Sequence, residues 1–126
     1  MIGQQDIPAR FDVREVPLAG YQVTILELGG QLDAHTAPEF ERFLEERVRN
    51  EKKSKLILDF SNLEYISSAG LGVLMGLIEE VRSQSGDMKL IKVPEKIYHV
   101  LDLLGFPIVF EVLPQLEDAL SSFGKK

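Results

Sequence analysis

The sequence predicts an α/β fold, a mixed β-sheet of about five strands combined with four helices in the order β-β-α-β-α-β-α-β-α. Three observations predict it. Two segments rich in β-forming residues, 11–16 and 21–28, flank the turn-forming Pro17-Leu18-Ala19-Gly20 and read as a hairpin. From Thr36 onward, helical-period segments alternate with short apolar runs, the pattern of parallel strands joined by crossover helices. The run Leu56-Ile57-Leu58 is apolar without alternation, as in a strand covered on both faces. The leading hairpin makes the sheet mixed.

Taken in order, residues 1–10 are polar with one proline and read as a flexible N-terminal segment, leaving 11–123 as a single domain. Phe11-Asp12-Val13-Arg14-Glu15-Val16 alternates weakly and Tyr21 to Leu28 alternates better, giving the two hairpin strands; Gly29-Gly30 ends the second. Thr36-Ala37-Pro38-Glu39 has the layout of a helix start, with Thr36 as N-cap, Pro38 in the first turn and Glu39 closing a capping box. Phe40, Phe43, Leu44 and Val48 then recur at helical spacing. After a charged loop at 50–54, residues 55–60 form the buried strand, 61–68 connect, and a helix covers 69–84 until Ser85-Gly86-Asp87 breaks it. Residues 88–93 are the next strand, Pro94 opens a helix that Gly105 closes, 107–113 read as the last strand, and 114–123 close the chain with Leu116, Ala119, Leu120 and Phe123 inward.

The 126 residues carry 14 Lys+Arg against 20 Asp+Glu, a net charge of −6. Nothing in that balance would neutralise a phosphate backbone, which argues against nucleic-acid binding. With no cysteine there is neither a disulfide scaffold nor a thiolate metal site. The longest apolar stretch, 71–78, is about half of a membrane span, and MIGQQDIPAR lacks the layout of a signal peptide. A cytoplasmic protein without membrane contact is expected.

Sites in such folds gather at the carboxyl ends of the strands, here 29–36 and 60–71. Ser68 falls at the N-cap of the following helix, and the plain reading is that it caps and does nothing else. Two features weigh against that. One capping hydroxyl would suffice, yet Ser67 and Ser68 are paired. In the helix, Leu71, Val73, Leu74, Met75, Leu77, Ile78 and Val81 spread over about 200° of the circumference, twice the usual buried stripe. Gly72 and Gly76 occupy much of the remainder; they serve either close packing within the molecule or the approach of another surface. A phosphate attached to Ser68 would sit beside free N–H groups and the positive end of the helix dipole, and would add about two negative charges to a small-residue surface. Asp33 either holds the Ser68 hydroxyl or makes a local Asx turn. Ser68, His35 and Asp33 supply the residue types of a hydrolytic triad, but no G-x-S-x-G elbow is present. Asp59 fits strand-end hydrogen bonding better than metal ligation, and His99 lies on a polar helix face.

ILDFSNLEYISSAGLGVLMGL at 57–77 resembles the signature of STAS domains, specifically the small bacterial anti-sigma-factor antagonists, and GGQLDAHTAPEF at 29–40 is similar to that family's second block. The likeness extends over nearly the whole chain. It implies a STAS-like sheet and a regulatory protein without enzymatic activity, cofactor or metal. Its unphosphorylated form would bind an ATP-dependent serine kinase that is an anti-sigma factor, releasing the sigma factor so that transcription proceeds. Phosphorylation would fall on Ser68, with Ser67 as second choice, and a metal-dependent serine phosphatase would reset the protein. Many relatives carry aspartate where this chain has Ser67, and Ala69 replaces the second serine of the familiar pair. The implied partner surface comprises Asp33, His35, Thr36, Ser67, Ala69, Gly70, Leu71, Gly72 and Met75. The alternative is a STAS interaction or sensor module serving another signalling assembly. A monomer is expected, because the one unusual apolar surface is already assigned to a partner.

Overall fold

The computed structural model describes residues 9–18 and 20–124. The expected flexible segment thus falls mostly on residues outside the described ones; Arg10 already belongs to the first strand. The elements are β1 (Arg10–Leu18), β2 (Tyr21–Leu32), α1 (Ala37–Glu45) running into a π-type turn at Glu46–Asn50, β3 (Lys55–Ile66), α2 (Ser68–Ser83), β4 (Asp87–Ile91), α3 (Glu95–Leu103), α4 (Phe106–Val109), β5 (Val112–Leu113) and α5 (Leu116–Gly124). The five strands lie side by side in chain order; β1 is antiparallel to β2 and the remaining pairs are parallel. This is the predicted mixed sheet.

Side-chain alternation along the strands builds two cores. On one face Leu26, Leu28, Leu56, Leu58 and Leu90 meet Phe40, Leu44 and Val48 of the first helical segment, Leu74, Leu77 and Ile78 of α2, and Ile97 and Leu101 of α3. On the other, Val23, Ile25, Ile57 and Ile91 are covered by α5 through Leu116, Ala119, Leu120 and Phe123, the residues expected to face inward. Lys89, buried on the α5 side, places its ammonium 2.7 Å from Glu111 and 4.6 Å from the Phe123 ring centroid, tying helix to sheet.

Two sequence expectations change. Gly29-Gly30 does not end β2, and β3 does not stop at Phe60; both run on to Leu32 and Ile66. Their ladder absorbs two register shifts, after Glu27 and after Gly30, and Gly30 adopts φ 79°, so these glycines mark an irregularity inside the strand rather than its end. The last predicted strand, 107–113, is mostly something else. Gly105 at φ 77° turns the chain into α4, Pro107 sits in the first turn, where its missing N–H costs nothing, and only Val112–Leu113 joins the sheet. Phe106 and Phe110, four residues apart, stack with centroids 5.2 Å apart over the core, a helical spacing that a strand would split. The same corner leaves Leu103, Leu104 and Ile108 exposed, a second apolar surface that sequence patterning did not single out.

Candidate functional site

β2 and β3 carry their following loops side by side. Their pairing continues to Gln31 with Tyr65 and Leu32 with Ile66, and the Ser67 N–H then donates to the Leu32 carbonyl at 2.8 Å. Gly70 seats α2 on this junction; a Cβ there would stand 3.0 Å from Ile66 Cγ1 and 3.1 Å from the Leu32 carbonyl oxygen. Segments 33–36 and 67–70 therefore leave from adjoining strand ends.

The first loop holds itself. Asp33 Oδ1 accepts from the backbone N–H groups of His35 at 3.0 Å and Thr36 at 3.1 Å, an Asx turn. The Thr36 hydroxyl donates to the Gln31 carbonyl at 2.9 Å and accepts from the Asp33 N–H at 3.0 Å. Thr36 precedes α1 as expected, but the capping box does not form, because its hydroxyl points back into the loop and caps no helix N–H. The Thr36 N–H above all, with the His35 N–H behind it and partial desolvation opposing, holds the Asp33 carboxyl below the ordinary aspartate range. Of the two roles open to Asp33, the Asx turn is the one adopted; among the described residues no hydrogen bond joins it to Ser68.

The second loop shifts the expected cap by one residue. Ser67, extended at φ −99° and ψ 174°, is the N-cap of α2, its Oγ accepting from the Gly70 N–H at 3.4 Å. Ser68 is instead the first helical residue. It is exposed, and among the described residues its hydroxyl has no hydrogen-bond partner. The first intrahelical bond runs from Leu71 N–H to the Ser67 carbonyl at 3.0 Å, so the N–H groups of Ser68 and Ala69 precede it at the positive end of a 16-residue helix.

Along α2 the wide apolar surface divides. Leu71, Val73, Leu74, Leu77, Ile78 and Val81 enter the core, whereas Met75 stays 44% exposed on the outer face with Ser68, Gly72 and Gly76. Among the described residues a Cβ at Gly72 or Gly76 would meet nothing within 4 Å, so packing among them does not account for either glycine. Gly70 and Leu71 are buried and contribute position rather than contact; Ala69 is half-buried and His35 exposed. Sequence reasoning missed Tyr65, 50% exposed, and the groove of about 220 Å³ it lines with Glu64, Ile66, Lys96, Ile97 and Val100. An aromatic two residues before the paired serines was the available signal; α3 comes alongside only in the folded chain.

The triad types do not assemble. His35 meets Asp33 through its backbone N–H, and among the described residues nothing hydrogen-bonds Ser68 to His35. Asp59 accepts from the Ser61 N–H at 2.9 Å, the strand-bonding role expected of it. Among the described residues no group of three or more His, Asp or Glu could hold a metal ion, and no helix is long and apolar enough to cross a membrane.

With this geometry described, the match of residues 12–119 to the STAS domain family decides the kinship. The chain belongs to the STAS family. This STAS domain is 26% identical over 100 residues to the anti-sigma F factor antagonist of Paenibacillus polymyxa, covering 79% of this chain and 83% of that one. It superposes on an anti-sigma factor antagonist from Mycobacterium paratuberculosis with a TM-score of 0.76 at 23% identity, covering 92% and 96% of the two chains. It also superposes on the anti-sigma factor antagonist SpoIIAA of Bacillus. In the unphosphorylated form the TM-score is 0.67 at 17% identity over 93% of this chain and 100% of that one. In the phosphorylated form it is 0.66 at 18% identity over 90% and 99%. The structural likenesses carry the fold of the STAS domain.

Proposed function

We propose that this STAS domain is an anti-sigma-factor antagonist switched by phosphorylation of Ser68. Unmodified, it binds an anti-sigma factor that is itself a serine kinase and so frees a sigma factor; the phosphate evicts the partner, and a metal-dependent serine phosphatase restores binding. The observation that carries this reading is the division of labour between the two serines: Ser67 caps α2, while the Ser68 hydroxyl is exposed and, among the described residues, unengaged. The names of the relatives support the general role, and the open face of Gly72, Met75 and Gly76 supports a surface that admits a close partner. Two added negative charges beside that face would repel a partner fitted to the bare hydroxyl. Asp33, His35, Thr36, Ser67 and Ala69 frame the same end, and Tyr65 extends it.

The test is incubation with the kinase and ATP followed by mass spectrometry. One phosphate on Ser68 is expected, lost in Ser68→Ala and kept in Ser67→Ala; a phosphate on Ser67, or none, rejects the assignment. Ser68→Glu is expected to weaken the complex by about tenfold or more. Isolation of a stable complex with a non-kinase client, together with unmodified serines, would favour a STAS module of another assembly.

A further inference from the structure

The sequence holds three methionines and no cysteine, so its easily oxidised sulfurs are thioethers. Met1 lies outside the described residues. Met88 is wholly buried in the core beneath α2, whereas Met75 is 44% exposed on the outer face of that helix. An oxidant must touch sulfur to react with it, and these two sulfurs differ in access. Long helical side chains lean over the turn before their own Cα. For Met75 that turn carries Gly72, and Gly76 follows directly, so neither position supplies a side chain to stand over the sulfur. Among the described residues a Cβ at either glycine would meet nothing within 4 Å.

Met75 also has a defined relation to Ser68. It lies seven positions on in the same helix, close to two full turns, so the two side chains share one stripe and stand about 10 Å apart along the axis. On the function proposed above, that stripe is where the kinase docks, and a flexible apolar thioether suits close packing there.

We propose that Met75 is an oxidation-sensitive site, and that its conversion to the sulfoxide by a peroxide releases the docked partner without any phosphate on Ser68. The inference rests on that docking face. A sulfur lone pair attacks one oxygen of hydrogen peroxide; the S–O bond forms as the O–O bond breaks. The sulfur is oxidised by two electrons and the peroxide reduced, the departing oxygen taking the proton of the transferred one to leave as water. The product carries a polar oxygen where the partner fits an apolar side chain, and burying that oxygen without a donor opposes docking. Methionine sulfoxide reductases reverse the step, so the release is a switch rather than a lesion.

Limited treatment of the full chain with hydrogen peroxide, followed by peptide mass spectrometry, tests the chemistry. Oxygen should enter Met75 at least about tenfold faster than Met88, with Met1 read on its own peptide. After removal of peroxide, the oxidised chain should bind the anti-sigma kinase about tenfold more weakly, and sulfoxide reductases with a thiol should restore binding. Its thermal unfolding midpoint should not change. Met75→Leu, whatever its own affinity, should bind equally before and after peroxide. Equal oxidation of Met75 and Met88 overturns the proposal, as does a peroxide-dependent loss that persists in Met75→Leu or comes with a lowered unfolding midpoint. Failure of the untreated chain to bind the kinase overturns the proposed function and the release together; binding that oxidation leaves intact overturns the release alone.

Discussion

Ser67 and Ser68 differ by one position and do different work. The Ser67 Oγ accepts from the Gly70 N–H at the long distance of 3.4 Å, so Ser67→Ala should lose about 0.5–1 kcal/mol, the lower part of the N-cap range. Ser68→Ala, at an exposed first helical position, should be neutral within about 0.5 kcal/mol, and urea unfolding of the two variants separates them. Asp33 makes a pH-dependent contribution of defined sign. Because its folded pKa is depressed, its stabilisation is present above the unfolded aspartate value and disappears as pH falls through the lower folded value. An NMR titration should place the Asp33 carboxyl below exposed aspartates, and Thr36→Pro, which deletes the principal donor, should raise it. An unshifted Asp33 would disprove the Asx contribution.

At the scale of elements, α2 retains glycines that its own stability disfavours. Gly72→Ala and Gly76→Ala each place a methyl in open space and should stabilise the isolated domain by about 0.5–1 kcal/mol while weakening the partner complex. Thermal unfolding and a binding titration on the same variants measure the opposed effects; unchanged binding would show that the open face is not a contact. Gly86 is the opposite case. A Cβ there would run into the Ser54 carbonyl, whose oxygen also accepts from the Asp87 N–H at 2.8 Å, so Gly86→Ala should destabilise by about 1–3 kcal/mol, read by urea unfolding. One sequence pattern, glycine near a helix or a turn, thus carries contrary meanings that only the surrounding atoms distinguish. The boundaries that moved have the same origin. β2 and β3 outran their predicted ends because each supplies the other's hydrogen-bond partners, and 106–110 left the strand pattern because two aromatic rings found each other across a helical turn.

For the whole molecule, the two sheet faces are unequally protected. Four helices cover one face, and α5 with its partners covers the apolar part of the other. Ala119 is buried outright and Leu116, Leu120 and Phe123 are partly buried, so together they contribute on the order of a few kcal/mol, a large share of the net stability of a small domain. Deleting residues 115–126 should therefore abolish cooperative thermal unfolding by circular dichroism; a sharp transition in the truncated chain would refute that role for α5. By itself the sequence determined the alternation of strands and helices, the mixed sheet, the inward residues of α5 and the two strand-end loops. These follow from local periodicity and turn chemistry, which neighbouring residues encode. Only the tertiary structure decided which serine caps and which stands free, that Gly72 and Gly76 face open space, that Tyr65 borders a groove with α3, and that Leu103, Leu104 and Ile108 find no place inside. Each of those depends on atoms distant along the chain, competing for positions in a core of limited volume.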